Sequence, residues 1–276
     1  MKPQRAYRFY LVDVEGVLVR DKRYEPIAGS VAWFNGLAKR GIAACLVSNN
    51  TTHRPDDLLA DLTGAGFHLA PDRIVGALGL ALDHLRRAGQ LRIHWLGAPA
   101  LRPYLSEEGF ELVDQGPCDA VVLGANDRLA VADLERALPQ LHDHGADLVC
   151  LHRNLFWLDA AGQRRLGPGV WAAALETVTT RGRVVVMGKP EEPIYRAALE
   201  RLGTRAEEAL FISDDPRADL VTAKRLGMGT AFVMSGKYTD HGVLGTLDQD
   251  DWPDVICACA ADLDEVIAKR EEPPQP

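Results

Sequence analysis

Short runs of apolar residues recur along the chain, and most are followed directly by a polar or charged residue. The first run covers residues 9–12 and the second covers residues 42–47. Neither run alternates apolar with polar positions, which is the pattern of strands buried on both faces of a parallel sheet. Similar runs predict further strands at 92–97, 119–124, 147–151, 184–187, 209–212 and 230–234.

Helical patterns lie between these strands. Residues 29–40 predict a helix that ends at Gly41, and residues 55–65 and 131–144 predict two more. Buried strands that alternate with helices are typical of a doubly wound α/β fold, in which helices cover both faces of a parallel sheet. The sequence therefore predicts this fold class, with a Rossmann-like core.

The predicted strands with polar endings fall into two groups, one near each end of the chain, with a further α/β block between them. We interpret the middle block, residues 53–182, as an α/β domain inserted into a discontinuous core domain. That core comprises residues 1–52 and 183–268. Residues 269–276 are polar and rich in proline, and they predict a disordered tail.

Composition narrows the class of protein. The chain has 276 residues, of which 47% are hydrophobic and 25% charged, as in ordinary globular proteins. Its net charge of −8 argues against nucleic acid or an anionic membrane as a partner. No apolar run is long enough to span a bilayer or to serve as a signal peptide, so we expect a cytoplasmic protein. The five cysteines include no C-x-x-C pair, which favours reduced thiols over disulfides.

Different polar side chains follow four of the predicted strands. In an open α/β sheet, ligands bind at the carboxyl ends of the strands, so we expect these side chains to lie near one another. They are Asp13 and Glu15 after the first strand, Ser48, Asn49 and Asn50 after the second, Lys189 after 184–187, and Asp214, Asp215 and Asp219 after 209–212.

This set of side chains suits phosphate chemistry. Mg²⁺ prefers oxygen ligands, and Asp13 and Asp214 offer two carboxylates. A carboxylate can also attack phosphorus and form an aspartyl-phosphate. Lys189 can neutralise phosphoryl oxygens, and the Ser48 hydroxyl and the Asn49 backbone N–H can hold them. Taken singly, each of these residues is also typical of a helix cap or a turn.

In order along the chain, the four endings resemble the four motifs of the haloacid dehalogenase (HAD) superfamily. D-V-E-G-V at 13–17 resembles the first motif, D-x-D-G-[TV], and L-V-S-N-N at 46–50 resembles the second. Lys189 in M-G-K-P resembles the third motif. I-S-D-D-P-R-A-D-L at 212–220 resembles the fourth, although Ser213 stands where the family usually has glycine.

The resemblance implies a Mg²⁺-dependent phosphatase that works through an aspartyl-phosphate. In such an enzyme one aspartate is both nucleophile and metal ligand, and a second aspartate and a backbone carbonyl complete the protein's share of the metal site. It implies that Asp13 is the nucleophile, that Asp13, Asp214 and the carbonyl of Glu15 hold Mg²⁺, that Ser48, Asn49, Asn50 and Lys189 bind the phosphoryl group, and that Asp219 and Asp215 support the site.

Further stretches resemble one branch of the superfamily. S-N-N-T-T and G-K-P-E-x-P are similar to the NagD-like, class IIA branch, which carries an α/β cap between the second and third motifs. F-V-M-S-G-K-Y resembles the phospholysine phosphohistidine inorganic pyrophosphate phosphatase type within it. The resemblance implies a small phosphorylated substrate that the cap selects, and it allows a homodimer. The cap candidates are His152, Arg153, Asn154 and Gly167 to Gly169.

Glu15 departs from the first motif, where the family usually has aspartate. One interpretation is that Glu15 acts as the acid/base, protonating the leaving group and then activating water. A second is that the extra methylene makes a slow phosphatase or one tuned to an unusual leaving group. A third is a catalytically weak or inactive protein that binds a phosphorylated ligand or partner. A nicotinamide enzyme is disfavoured because no G-x-G-x-x-G follows the first strand.

Overall fold

The computed structural model describes residues 7–20, 23–158 and 163–271. These residues fold into two compact units. The first unit comprises the described residues of Met1–Ser48, Leu59–Val75 and Tyr195–Pro276, and the second comprises Asn49–Leu58 and Gly76–Ile194.

The first unit is built on a six-stranded sheet in the order β13-β12-β11-β1-β2-β3. The pairs β1–β2, β1–β11, β11–β12 and β12–β13 are all parallel. This is the strand order of a doubly wound fold, in which successive strands are added first to one side of β1 and then to the other. The strands are β1 (Phe9–Val12), β2 (Ala43–Ser48), β3 (Ile74–Gly76), β11 (Ala209–Ser213), β12 (Gly229–Val233) and β13 (Val255–Cys257).

The strand order of this sheet reverses between β1 and β11. Val12 lies opposite Ile212 on one side and Leu46 on the other. The Asp13 N–H continues the ladder by donating to the Ile212 carbonyl at 2.9 Å. The residues after β1 and β11 therefore emerge side by side at the crevice where doubly wound folds bind ligands.

The second unit contains its own five-stranded parallel sheet in the order β10-β7-β6-β4-β5, and a two-stranded antiparallel ribbon. Alternate residues of β6 enter two separate apolar clusters, Ala120 and Val122 on one face and Val121 and Leu123 on the other. The sheet is thus covered on both faces, as the unalternating sequence predicts. Its strands are β4 (Arg92–Leu96), β5 (Glu111–Leu112), β6 (Ala120–Leu123), β7 (Asp147–Cys150) and β10 (Val184–Val186), and the ribbon pairs β8 (Phe156–Leu158) with β9 (Arg164–Leu166).

The three predicted helices are present, with different ends. Residues 29–40 form a helix that ends at Gly36, followed by a 3₁₀ turn over Ala38–Arg40. Gly41 ends the turn with a φ of 74°, in the left-handed region that glycine adopts without a Cβ penalty. The helices are α1 (Ser30–Gly36), α2 (Pro55–Gly64), α3 (Ala77–Ala88), α4 (Arg102–Glu107), α5 (Val131–His142), α6 (Pro168–Glu176), α7 (Glu192–Leu202), α8 (Val221–Arg225) and α9 (Leu263–Glu271).

Residues 59–75 belong to the first unit, although the sequence predicts them as part of an insertion over 53–182. The rings of Phe34 and Phe67 meet edge to face at 5.9 Å. Asn35 accepts from the His68 N–H at 2.7 Å and donates to the Gly66 carbonyl at 2.9 Å. These contacts and the place of β3 in the first sheet hold the segment there. The division of the chain into a catalytic core and a cap over residues 53–182 stays a prediction.

The chain ends differ from the prediction in one respect. Residues 269–271 of the predicted tail are the last turn of α9, and residues 272–276 lie outside the described part of the chain. The five cysteines are free thiols, as predicted. Among the described residues, no helix combines the length and apolar character that crossing a membrane requires.

Candidate active site

Asp13 lies at the carboxyl end of β1 and is buried, with 7% of its surface exposed. The Val14 N–H donates to its Oδ1 at 2.8 Å and so orients the carboxyl group. The chain then turns back on itself, because the N–H groups of Leu18 and Val19 both donate to the Val14 carbonyl. Glu15 lies on this turn, half-buried and bridged to Val19. The turn therefore holds the two carboxyl-bearing residues of the first motif on one short loop.

Asp214 lies at the end of β11, where two glycines let the backbone approach its carboxyl group. A Cβ built on Gly16 would stand 2.0 Å from Oδ2 of Asp214, and a Cβ on Gly236 would meet the same atom at 2.0 Å. Gly16 also has a φ of +83°. The Lys237 N–H donates to the same oxygen, and Ser235 Oγ donates to the Gly16 carbonyl at 2.7 Å. Loops after β1 and β12 thus enclose Asp214.

The carboxyl groups of Asp13 and Asp214 are buried near one another, and a cation would offset the repulsion between their charges. Burial, and next the charge of Asp13, raises the pKa of Asp214 well above its ordinary value. Within the described part of the chain, no group of three or more Asp, Glu, His or Cys side chains is arranged to hold a metal. Two carboxylates with a backbone carbonyl are nevertheless the small oxygen donor set that suits Mg²⁺, which keeps several waters and binds substrate phosphate.

Ser213 stands where the fourth motif usually has glycine, and its hydroxyl group holds the loop of that motif. Ser213 is fully buried, and its Oγ donates to Oδ2 of Asp219 at 2.5 Å. The same Oγ accepts from the Asp215 N–H at 3.1 Å. Asp215 in turn accepts from the Ala218 N–H at 3.0 Å, as a cap on the helical turn that follows. Asp219 and Asp215 therefore organise the loop that carries Asp214.

Lys237 is a candidate site residue that the sequence-based prediction missed. Its ammonium lies 2.6 Å from Oδ2 of Asp215, and its backbone N–H donates to Asp214. Burial lowers the pKa of Lys237, but the charge of Asp215 and its hydrogen bond outweigh this and leave the pKa raised. The signal was available: S-G-K follows the predicted strand 230–234 just as polar residues follow the other strands.

Two of the predicted phosphate-binding residues lie together in the second unit. The side-chain amide of Asn49 accepts from the Lys189 N–H and donates to the Lys189 carbonyl, each at 2.9 Å. Gly188 makes room for this, because a Cβ there would stand 2.4 Å from Oδ1 of Asn49. Asn49 also donates to Asn154 Oδ1 at 3.2 Å. The Asn49 side chain therefore fixes the backbone of Lys189, which is itself 3% exposed.

The neighbouring residues of the second motif have structural contacts. Asn50 accepts from the N–H groups of Thr52 and His53, which is an Asx turn ahead of α2. Thr51 accepts from the Ala125 N–H at 3.1 Å and contacts His152 Nε2 at 3.4 Å. Asn50 thus forms a turn, and its role in binding the phosphoryl group stays a prediction. Ser48, in the first unit, is fully buried at the end of β2.

The other cap candidates pack on one another within the second unit. Arg153 forms an ion pair with Glu176 of α6. The Gly169 N–H donates to the Asn154 carbonyl at 3.1 Å, so the start of α6 is tied to this loop. Gly167 to Gly169 are therefore the beginning of a helix. Their predicted role in substrate choice stays a prediction.

Known proteins resemble this chain over most of its length. A model of haloacid dehalogenase-like hydrolases matches residues 10–111, and a HAD-hydrolase-like model matches residues 186–266. Haloacid dehalogenase-like hydrolase domain-containing protein 2 of Homo sapiens is 32% identical over 85% of this chain and 86% of its own. Ribonucleotide monophosphatase NagD of Escherichia coli (strain K12) is 28% identical over 82% of this chain and 87% of its own.

A solved structure shares the fold. The p-nitrophenyl phosphatase from Archaeoglobus fulgidus superposes with a TM-score of 0.82 at 26% identity, covering 94% of this chain and 98% of that one. The predicted fold class and NagD-like branch are confirmed, whereas the finer likeness to the phospholysine phosphohistidine inorganic pyrophosphate phosphatase type stays a prediction. The chain belongs to the haloacid dehalogenase-like hydrolase family, and within it to the branch of NagD-like phosphatases.

Proposed function

We propose that the protein is a Mg²⁺-dependent phosphatase that hydrolyses a small phosphorylated metabolite through an aspartyl-phosphate on Asp13. The observation that carries the proposal is the pair of buried carboxylates, Asp13 and Asp214, which follow adjacent parallel strands where the strand order reverses. Ligands of doubly wound folds bind at that point. Burial and then the charge of Asp13 raise the pKa of Asp214, and a bound cation would favour its ionised form.

The metal would be held by the carboxylates of Asp13 and Asp214 and by the backbone carbonyl of Glu15. Bound Mg²⁺ supplies charge neutralisation for the transferring phosphoryl group. The chain's own contribution is to fix the ligands before the ion arrives. The Val14 N–H orients Asp13, and the Lys237 N–H orients Asp214. Ser213 steadies the loop by its bonds to Asp219 and Asp215.

The reaction divides into two displacements at phosphorus. A carboxylate oxygen of Asp13 attacks phosphorus, the bond to the substrate oxygen breaks, and Glu15 gives that oxygen its proton. Glu15, now ionised, removes a proton from water, and the water oxygen attacks the aspartyl-phosphate. Inorganic phosphate leaves, Asp13 regains its carboxylate, and Glu15 is protonated again for the next cycle.

The phosphoryl oxygens would be held by the Ser48 hydroxyl, the Asn49 backbone N–H and the Lys189 ammonium. The Asn49 side chain supports this role because it fixes both backbone polar groups of Lys189. A backbone held in place at Lys189 lowers the reorganisation needed when charge develops on the phosphoryl group. Residues 53–182 would select the substrate, and a cytoplasmic location and a homodimer remain expectations from the sequence.

Removing Mg²⁺ tests the metal requirement. We expect dialysis against EDTA to lower turnover of p-nitrophenyl phosphate by about 100-fold or more, because uncompensated charge at the transferring group costs several kcal/mol. Readdition of Mg²⁺ should restore the rate, and a protein kept in Mg²⁺ throughout is the control. Undiminished turnover in EDTA would show that the hydrolysis needs no divalent metal.

Replacing Glu15 separates its three interpretations. In Glu15→Gln we expect an alkyl phosphate to lose about 10²- to 10⁴-fold in rate, the range of general acid–base catalysis. With p-nitrophenyl phosphate the first displacement needs little acid, so the variant should release a burst of nitrophenol and then stall at the aspartyl-phosphate. Glu15→Asp is the matched control, since it keeps the carboxyl group and shortens its reach.

Two other outcomes would change the assignment. If Glu15→Gln hydrolyses both esters at the rate of the unaltered protein, then Glu15 is not the acid/base. If the unaltered protein binds inorganic phosphate in the presence of Mg²⁺ but turns over neither ester, the alternative of a binding protein is favoured. The departure of Glu15 from the family's aspartate is the observation behind that alternative.

A further inference from the structure

The loop after β12 places a lysine, Lys237, beside the carboxylates of the candidate metal site. Ser235 bonds the Gly16 carbonyl, and the Lys237 N–H bonds Oδ2 of Asp214. The Lys237 ammonium turns to the neighbouring carboxylate and pairs with Oδ2 of Asp215 at 2.6 Å. One residue therefore contacts two adjacent carboxylates, by its backbone and by its side chain.

The carboxylates around this lysine form a buried cluster within the first unit. Asp13, Asp214, Asp215 and Asp219 are between 3% and 7% exposed. Asp13 and Asp214 follow the paired strands β1 and β11, and Asp215 and Asp219 lie on the hydrogen-bonded loop after Asp214. Like charges gathered out of water destabilise a folded protein unless cations or hydrogen bonds offset them. Lys237 supplies such a cation, because its ammonium lies 2.6 Å from Oδ2 of Asp215 and its side chain is only 18% exposed.

We propose that Lys237 is a positioning residue whose ammonium serves as a built-in counter-charge of the carboxylate cluster, stabilising the metal-free fold and weakening Mg²⁺ binding. The inference rests on the proposed function, because it assumes Mg²⁺ at Asp13 and Asp214. Its physical basis is Coulombic. A cation paired with Asp215 offsets one of the negative charges that attract a divalent ion, and it adds a repulsion of its own. The backbone N–H that holds Asp214 does not depend on the lysine side chain.

The test measures Mg²⁺ binding directly, by calorimetric titration of metal-free full-length protein. In Lys237→Gln we expect the Kd for Mg²⁺ to fall about tenfold, the effect of removing one nearby charge at the high effective dielectric of a protein. Lys237→Arg keeps the charge and should bind as the unaltered protein does. Lys224→Gln is the matched control, because Lys224 pairs with Asp254 at 2.9 Å in the same unit.

Thermal unfolding provides a second measurement that does not depend on the heat of Mg²⁺ binding. In EDTA, Lys237→Gln should have a lower Tm than Lys224→Gln, and saturating Mg²⁺ should remove most of the difference. A lysine that served only to pack the loop would lower Tm equally with and without Mg²⁺. Equal losses would therefore overturn the inference.

A complementary variant covers the case in which Lys237→Gln does not fold. Asp215→Asn removes one negative charge and leaves the ammonium, so it should weaken Mg²⁺ binding about tenfold. Unchanged or tighter binding in Asp215→Asn, or unchanged or weaker binding in Lys237→Gln, would overturn the inference while leaving the metal-dependent phosphatase in place. Absence of Mg²⁺ binding in the unaltered protein and in both variants would overturn the inference and the proposed metal site together.

Discussion

Asp13→Asn is expected to abolish turnover of p-nitrophenyl phosphate, with a loss of about 10⁴-fold or more. The amide cannot form the acyl-phosphate bond, and no other carboxyl group in the described structure follows β1 as directly. The Val14 N–H still has a side-chain oxygen to bond, so the loop geometry should persist. Steady-state release of nitrophenol in saturating Mg²⁺ is the measurement.

The same substitution should leave the protein at least as stable as before. The charge of Asp13 raises the pKa of Asp214, so removing that charge relieves a repulsion between buried groups. A Tm at or above that of the unaltered protein would show that lost activity is not lost folding. Asp127→Asn, at an exposed loop position, is the control for amide substitution. Substantial turnover by Asp13→Asn would point to direct attack by water and would remove the covalent intermediate from the mechanism.

Gly16→Ala should cost about 100-fold or more in kcat/KM, although it adds only one methyl group. The new Cβ would stand 2.0 Å from Oδ2 and 2.4 Å from Cγ of Asp214, so the carboxyl group has to move. Displacement of a catalytic group by about 1 Å costs on the order of 10²-fold. The measurement is kcat/KM for p-nitrophenyl phosphate, together with Tm.

Gly41→Ala separates this clash from backbone strain. Gly41 has a φ of +74°, close to the +83° of Gly16, but a Cβ there would have nothing within 4 Å. The two variants should share the conformational cost of about 1 kcal/mol for an alanine at positive φ. Only Gly16→Ala should lose activity. Equal activity in the two variants would mean that the close approach of Gly16 to Asp214 has no role in catalysis.

Several features of the fold follow from local sequence. Asp13 and Asp214 could be named as neighbours because each ends an apolar run, and the carboxyl ends of parallel strands share one edge. Helix α3 can also be predicted from local sequence, since Leu78, Leu82 and Leu85 recur at helical spacing and Gly89 ends the helix. Strand β3, with three residues, is too short for periodicity to identify.

Other features depend on contacts that local sequence does not report. The assignment of residues 59–75 to the first unit depends on Phe67 meeting Phe34 and on the hydrogen bonds of Asn35. The side-chain contacts of Asn49 depend on Lys189 and Asn154, which lie 140 and 105 residues away along the chain. Pairings across such separations are set by packing and not by propensity.

The sequence by itself determined the α/β class and the family, because buried strands and the residues at their ends are local patterns. It also identified the candidate nucleophile and metal ligands, because the residue types at the strand ends follow the order of the family's motifs. Only the tertiary structure decided that Lys237 contacts both Asp214 and Asp215. It also decided that Ser213 bonds Asp219, and that Gly16 and Gly236 both lie against the carboxyl group of Asp214. These contacts join loops after different strands. Charge repulsion and steric fit act through space, so they are fixed only when the sheet has brought those loops together.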